Sequence, residues 1–477
     1  MNNSLTKKFN RLIWINRNIN NLKNYAKSLE EFKLFGTLAK LGTYIEQSGL
    51  QNPEIYKLLG EVYRSFDIGR TIYFQERYMK ETTIEIPANE YNMLGLYYNT
   101  LFQYYTSDYS IIQKALYNIE TACKMEPENS QFNKNAALTA YRAKDYQTCA
   151  RYYKKLFEIG KITNLDKYDY AAFCFQAGDY AGWRKYFPAR FFKEIMPIKY
   201  PKIQKPEWDG VVDITDKTLL IHYEQGFGDT FLMWGYLPRL KKLAKHIIFV
   251  VPDITYDLLK NNSCQVEVIP ESRADLNSLE FDYHIPSMGI PIVLKLEGKD
   301  LCIGEGYIKA DEKLVKEYKE KYFNNDKLKI GICFSGSIYG DPTRNISPDR
   351  LLILEELKDV EIYSLTKYIN DDKFNMFRKN KIHNIVKDFN DFNQTAAAIE
   401  NCDIILTTDN VIMNLSGALG KKTLALFNWY YDWRWFDIKG ENITYLTSVK
   451  PFVNDKMNNW DYSINAAVAE IRKIQNS

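Results

Sequence analysis

Leu219 to Leu240 reads LLIHYEQGFGDTFLMWGYLPRL. Its apolar run, Leu219-Leu220-Ile221, breaks at Gln225-Gly226-Phe227-Gly228-Asp229, after which Phe231, Leu232, Trp234 and Leu237 recur at helical spacing. A strand, a tight glycine turn and a helix start are predicted. Glycines let a backbone approach a ligand closely, and a helix N-terminus offers unpaired N–H groups to an anion. Phe231 stands where a third glycine would complete a dinucleotide fingerprint, so this is not that motif. Two readings of the turn stay open: a plain βα connection with Asp229 suiting the helix dipole, or a ligand site.

Around this stretch lie 477 residues, more than one core normally serves, which predicts two to four domains. Sixty-three basic against 60 acidic side chains, net +3, give no electrostatic reason to expect DNA or RNA as a partner. Seven cysteines are scattered without a CxxC pair, which fits a reducing cytoplasm and argues against both a disulfide framework and a zinc cluster. The first 18 residues hold no signal-peptide apolar run, and no stretch of 18 apolar residues occurs. A soluble, unexported, cytoplasmic protein without a transmembrane segment is expected.

Upstream, residues 1–50 read as helical, with Leu29, Phe32, Leu34, Leu38 and Leu41 at helical spacing. From there to 194 the chain repeats. Leu59-Gly60 returns as Leu94-Gly95, Ala115, Ala122 and Pro127 follow, and Asp145-Tyr146 returns 34 residues on as Asp179-Tyr180. Paired helices with small residues at their crossings have this period. Most of the 36 tyrosines fall at packing positions of the repeats.

The proline-containing segment 195–208 then breaks the helical pattern. Strands are predicted at Thr218–Tyr223, His246–Val251, Val266–Ile269 and Tyr283–Pro286, and, after a helix from Asp311 to Tyr322, at Lys329–Phe334, Glu361–Leu365, Ile382–Val386, Asp403–Thr407, Lys422–Phe427 and Ile443–Leu446. Strands alternating with helices make parallel βαβ units, here two Rossmann-like halves, 195–325 and 326–477. Ligands in such sheets sit beyond the carboxyl ends of the strands.

Three loops of the second half follow strands. Ser335-Gly336-Ser337, with Arg344 nearby, offers donors and a cation suited to phosphate. Ser364-Leu365-Thr366-Lys367 is the second. Thr407-Thr408-Asp409-Asn410 opens a helix, where Asp409 reads either as an N-cap or as part of a diphosphate site.

The Leu-Gly-x-x-Tyr pattern, the Gly-Asp-Tyr turn at 178–180, Ala115, Cys149 and Pro127 resemble the tetratricopeptide repeat family, in three to four degenerate copies over about 50–190. Trp183 at a small-residue position and a long loop before Ser110 depart from it. Further on, EQGFGDT (224–230), FDYHIPSMGIP (281–291), GICFSGS (331–337), RNIS (344–347), TTDNVIMNLSGALGKKT (407–423) and DWRW (432–435) occur in an order that resembles the heptosyltransferase-related, family 9-like glycosyltransferases of GT-B fold, in the branch that carries tetratricopeptide repeats ahead of the catalytic region.

That resemblance implies a nucleotide-diphosphate sugar donor on the C-terminal half, an acceptor on the N-terminal half, and no required metal or cofactor. No Asp-x-Asp is present. Asp229 matches the aspartate taken to deprotonate the acceptor hydroxyl. Ser335, Gly336, Ser337 and Arg344 match the diphosphate side, Leu365 and Thr366 the place of the base, and Asp409 with Asn410 the donor-contacting pair, asparagine replacing threonine. Asn414 stands where relatives often have histidine. Gln225, Gly226, Gly228 and His284 fall on the acceptor side, with His284 read as packed rather than catalytic. The DWRW segment reads as a packed aromatic cluster around a buried arginine.

The leading expectation is an inverting, metal-independent glycosyltransferase acting on a glycan or protein hydroxyl, its repeats positioning an acceptor, binding a protein partner or self-associating. The alternative is a non-catalytic scaffold carrying a degenerate transferase region, kept open by Asn410 and Asn414. An oxidoreductase fits less well, because the third glycine and a ribose-binding acid are missing.

Overall fold

The computed structural model describes residues 14–15, 18–192, 201–263, 265–336, 342–367, 382–436 and 443–476. The chain divides into two compact units, Met1–Asp166 and Lys167–Ser477. No helix among the described residues is long and apolar enough to cross a membrane.

The first unit is all helical. After helices Ile19–Glu31 and Phe35–Glu46 come the pairs Pro53–Tyr63 with Ile68–Glu81, Ala88–Tyr105 with Tyr109–Met125, and Ser130–Arg142 with Tyr146–Glu158. Short polar side chains start these helices by accepting from first-turn N–H groups: Asn52, Asp67, Asp108, Asn129 and Asp145. The Asp-Tyr repeat is therefore an N-cap followed by the first helical residue. Gly95 marks a helix crossing, since a Cβ there would collide with Ile119 and with the Ala115 carbonyl.

Within 1–50 the apolar stripe from Leu29 to Leu41 is divided between two helices: Lys33 turns left-handed at φ 56°, and Phe32 and Leu34 are exposed in the connection. One expectation fails here: there is no long loop before Ser110, because Ala88–Tyr105 runs on for 18 residues, burying Tyr98, Asn99 and Phe102, and leaves only 106–108 between helices.

The second unit opens with the end of a fourth pair, Asn164–Gln176 and Tyr180–Tyr186, and a 3-10 turn, Phe187–Phe191. Two wholly parallel sheets follow, as the alternating pattern predicts. Strands β1 (Thr218–His222), β2 (His246–Val251), β3 (Glu267–Pro270) and β4 (Tyr283–Pro286) form the first, in the order β3-β2-β1-β4. Strands β5 (Leu328–Cys333), β6 (Val360–Ser364), β7 (Ile382–Asn384), β8 (Ile404–Thr408), β9 (Thr423–Phe427) and β10 (Val449–Val453) form the second, in the order β10-β9-β8-β5-β6-β7.

Leu219, Leu220 and Ile221 in β1, and every residue of β8, are buried, as strands covered on both faces require. The final helix, Trp460–Gln475, closes one face of the second sheet with Trp460, Ile464, Ala467, Val468 and Ile471.

Nine of the ten predicted strands are present within two residues at each end. The tenth is misplaced: Ile443 makes only an isolated antiparallel bridge to Phe436, and the strand is Val449–Val453. It carries Pro451, which argues against a central strand but is tolerated here because β10 lies at the sheet edge. Residues 206–208 run beside β4, where Trp208 N–H donates to the His284 carbonyl and His284 N–H to that of Pro206.

Candidate active site

Both sheets present their strand-end loops to one another. After β1 the chain passes through Glu224 and Gln225, which adopts φ 62°, into the helix Phe227–Trp234. Asp229, in the first turn, accepts through Oδ2 from the Gly226 N–H at 3.0 Å and through Oδ1 from Arg434 Nη1 at 2.7 Å. The carboxylate thus caps its own helix, as the plain βα reading of the turn has it, and also reaches the second half.

The glycines divide differently from expectation. A Cβ on Gly226 would meet nothing closer than Asp229 Oδ2 at 3.4 Å. One on Gly228 would collide with Asn414 Nδ2, so this glycine admits the close approach of the helix Val411–Leu419 of the second half.

Arg434 organises the facing loop. Its Nε and Nη2 are bidentate to Asp432, both at 3.0 Å, and Nη1 also reaches Gln225 Oε1 at 3.4 Å. Burial raises the Asp432 carboxyl, but the Arg434 pair outweighs it and holds the group below its ordinary value. Sequence reasoning took Arg434 as part of a packed cluster and missed its ion pairs. The available signal was that a guanidinium between two tryptophans needs carboxylate partners, and Asp432 is two residues away. The tryptophans do pack: Trp433 meets the rings of Phe175 and Phe187 edge-on, and Trp435 that of Tyr445.

Asp409 follows β8 and is 5 % exposed. Burial pushes its carboxyl up to about 6, with Arg344 pulling the other way and Asp432 adding to the rise. Arg344 Nη1 donates to the Asp409 carbonyl at 3.1 Å and lies 3.7 Å from Oδ2, which has no hydrogen-bond partner among the described residues. Asp409 is not the N-cap. Asn410 is, its Oδ1 accepting from the Ile412 N–H at 2.8 Å and from Thr407 Oγ1, while its Nδ2 donates to Thr408 Oγ1 and Cys333 Sγ. The Asn410 amide is therefore spent on bracing its own loop. Asn414, one turn on, is buried beside Gly228 with Oδ1 lacking a hydrogen-bond partner among the described residues.

The remaining predicted residues spread out. Ser335 and Gly336 follow β5, Gly336 N–H donating to Asn345 Oδ1 at 2.9 Å with its α-carbon facing Asn410. Ser337 lies outside the described residues. Leu365 and Thr366 are buried at the end of β6, where Leu365 N–H continues the ladder to Ile332 and Thr366 Oγ1 accepts from the Phe334 N–H. His284 sits inside β4 with its ring 5.6 Å from that of His222. Burial lowers the pKa of both, His222 to about 3, so both rings are neutral.

Sequence reasoning also passed over Glu224, buried in a bidentate pair with Arg190 at 2.9 and 3.0 Å and accepting from the Met288 N–H. Among the described residues, no three His, Cys, Asp or Glu side chains are arranged to hold a metal ion. A cleft of about 700 Å3, lined in part by Lys422, Thr447, Lys450 and Glu470, opens at the amino ends of β9 and β10. That is the wrong end of a parallel sheet for the loops described above.

No protein-family model matches the chain, and no curated protein matches it. Among solved structures, a glycosyl transferase family 9 protein from Veillonella parvula DSM 2008 is similar at 13% identity, over 56% of this chain and 100% of that one, with a TM-score of 0.42. The E. coli ADP-heptose lps heptosyltransferase II is similar at 12% identity, over 54% and 99%, with a TM-score of 0.38. MamA is similar at 18% identity, over 32% and 85%, with a TM-score of 0.25.

Proposed function

We propose that the chain is a glycosyltransferase moving a sugar from a nucleoside diphosphate to an acceptor hydroxyl. The observation that carries this is the Asp229–Arg434 pair, which sets a carboxylate after a strand of one parallel sheet against an arginine after a strand of the other, at their carboxyl ends. The order of the six motifs named above supports the same reading.

In this reading Asp229 accepts the proton of the acceptor hydroxyl. The acceptor oxygen bonds to the anomeric carbon from the face opposite the diphosphate, whose oxygen departs with the bonding pair, so the centre inverts. The Gly226 N–H and Arg434 fix the orientation of the base. Arg344 and Arg434 offset the charge that grows on the leaving diphosphate. In this reading Asp409 Oδ2 and Asn414 Oδ1, which lack hydrogen-bond partners among the described residues, accept hydrogen bonds from hydroxyls of the donor. Ser335 and Gly336 complete the diphosphate side, and the acceptor, a glycan or a protein side chain, enters from the side of Gly226.

The scaffold reading draws on one observation, the engagement of the Asn410 amide by Thr407, Thr408 and Ile412 around it and by Cys333 at the end of β5. Incubation of the full chain with UDP-, GDP- and ADP-linked sugars separates the two. A transferase binds or slowly hydrolyses one of them, and Asp229→Ala abolishes turnover while the chain stays folded. Failure to bind any of the panel sinks the transferase reading and leaves the scaffold.

A further inference from the structure

The segment from Lys167 to Phe191 continues the helical pairs, yet within the second unit it grips both loops of the candidate site. On one side, Arg190 lies between the rings of Phe187 and Phe191, at 4.2 and 3.9 Å, and makes its two-pronged pair with Glu224. Both side chains are 2–3 % exposed, and Glu224 directly precedes Gln225 in the glycine turn. On the other side, Phe175 and Phe187 receive the ring of Trp433, whose carbonyl accepts from Gln176 Nε2 at 3.3 Å. Trp433 directly precedes Arg434. Phe187 touches both Arg190 and Trp433, so one aromatic ring links the supports of the two loops.

We infer that Arg190 is a positioning residue. Through Glu224 it fixes the turn that carries Asp229, and its neighbour Phe187 seats the loop that carries Arg434. The planar fork matters because two parallel hydrogen bonds fix the carboxylate in angle as well as distance, which a single ammonium does not. Glu224 is in turn tied to the backbone of Met288 after β4, so the turn is held from two elements at once. A left-handed, non-glycine residue such as Gln225 persists only where its surroundings over-determine it, and this brace immediately before it supplies that constraint. The kinetic consequence rests on the transferase reading; the structural one does not.

The test separates bracing from mere stability. Arg190→Met alone leaves the Glu224 carboxylate buried without its partner, so a loss of folding there says little. Arg190→Met with Glu224→Gln removes both charges and keeps an acceptor for Met288. In the full chain we expect this double variant to melt near the parent midpoint. Amide exchange over 219–236 should nonetheless be about tenfold faster, with peptides from β8 unchanged. For whichever UDP-, GDP- or ADP-linked sugar the parent hydrolyses, kcat should fall about tenfold to a hundredfold at unchanged KM.

If exchange over 219–236 in the double variant matches the parent, whatever its midpoint, the pair does not position the turn and the inference is overturned. Should the double variant not fold, Arg190→Lys decides: it keeps the charge and loses the fork. Faster exchange over 219–236 supports positioning, and parental exchange overturns it. A parent that neither binds nor hydrolyses any donor defeats the transferase reading while the exchange result still decides the role of Arg190.

Discussion

Arg434 Nη1 lies 2.7 Å from Asp229 Oδ1 while the other edge of the same guanidinium grips Asp432. One cation thus spans carboxylates from the loops of two separate sheets, and both ends are largely shielded, with Arg434 14 % and Asp229 13 % exposed. Replacing it by Arg434→Met leaves the shielded Asp229 carboxylate and that of Asp432, 31 % exposed, unpaired near a third, Asp409. The expected loss is about 3 kcal/mol in urea unfolding, and Asp432→Asn in the same chain should recover much of it. A single variant within about 0.5 kcal/mol of the parent would show that the bridge contributes little.

Asp229→Asn preserves shape and the bond to Gly226 but cannot take a proton. Stability should fall by about 1 kcal/mol, the usual scale for a weakened first-turn cap. Donor turnover should fall by about 10²- to 10⁴-fold. Retention of more than about a tenth of parental turnover would remove Asp229 as the base.

Acidity pulls on two buried groups in opposite senses. With its carboxyl pushed up to about 6, Asp409 binds its proton more tightly in the fold, so its contribution is present at low pH and is lost as pH rises from about 4 to 6. His222, lowered to about 3, stays neutral in the fold while the unfolded chain takes up a proton below about 6.5. Its contribution is full above that pH and disappears as pH falls toward 3. At about 1.4 kcal/mol for each tenfold change in proton affinity, the wider gap at His222 outweighs that at Asp409. Melting midpoints should fall on acidification from about pH 7 to pH 4.5. The fall should steepen in Asp409→Asn and flatten in His222→Gln, and further with His284→Gln, since burial lowers the His284 pKa as well. Equal slopes in all four proteins would exclude this account.

Gly228 and Asn414 form a testable couple. Gly228→Ala pushes a methyl group into the Asn414 amide and should cost about 1–3 kcal/mol. Asn414→Ala opens that space, so the double variant should recover about 1 kcal/mol or more relative to the sum of the singles. Strict additivity in chemical unfolding would mean that the helices part without resistance at this point.

Elements with local signatures were legible in the chain. Apolar runs bounded by polar turns located nine strands, and Asp-Tyr repeats located helix starts because a cap is a contact over three residues. Asp229 was legible as a candidate because the glycine turn names it. What escaped was long-range pairing: Arg190 with Glu224 and Arg434 with Asp229 join residues 34 and 205 positions apart, and no periodicity encodes that. Asp409 was read as the cap by residue type, and backbone geometry gives the role to its neighbour Asn410, which has the same side-chain acceptor. The tenth strand was hidden by its own proline, since the pattern that marks a central strand does not hold at an edge.

That proline has a further effect. An outermost strand offers a free row of amides to any neighbouring chain, and Pro451 deletes a donor from the row at its middle. The β10 border of the six-stranded sheet is therefore blunted, and a crowded solution meets an interrupted template there on which to build an aggregate.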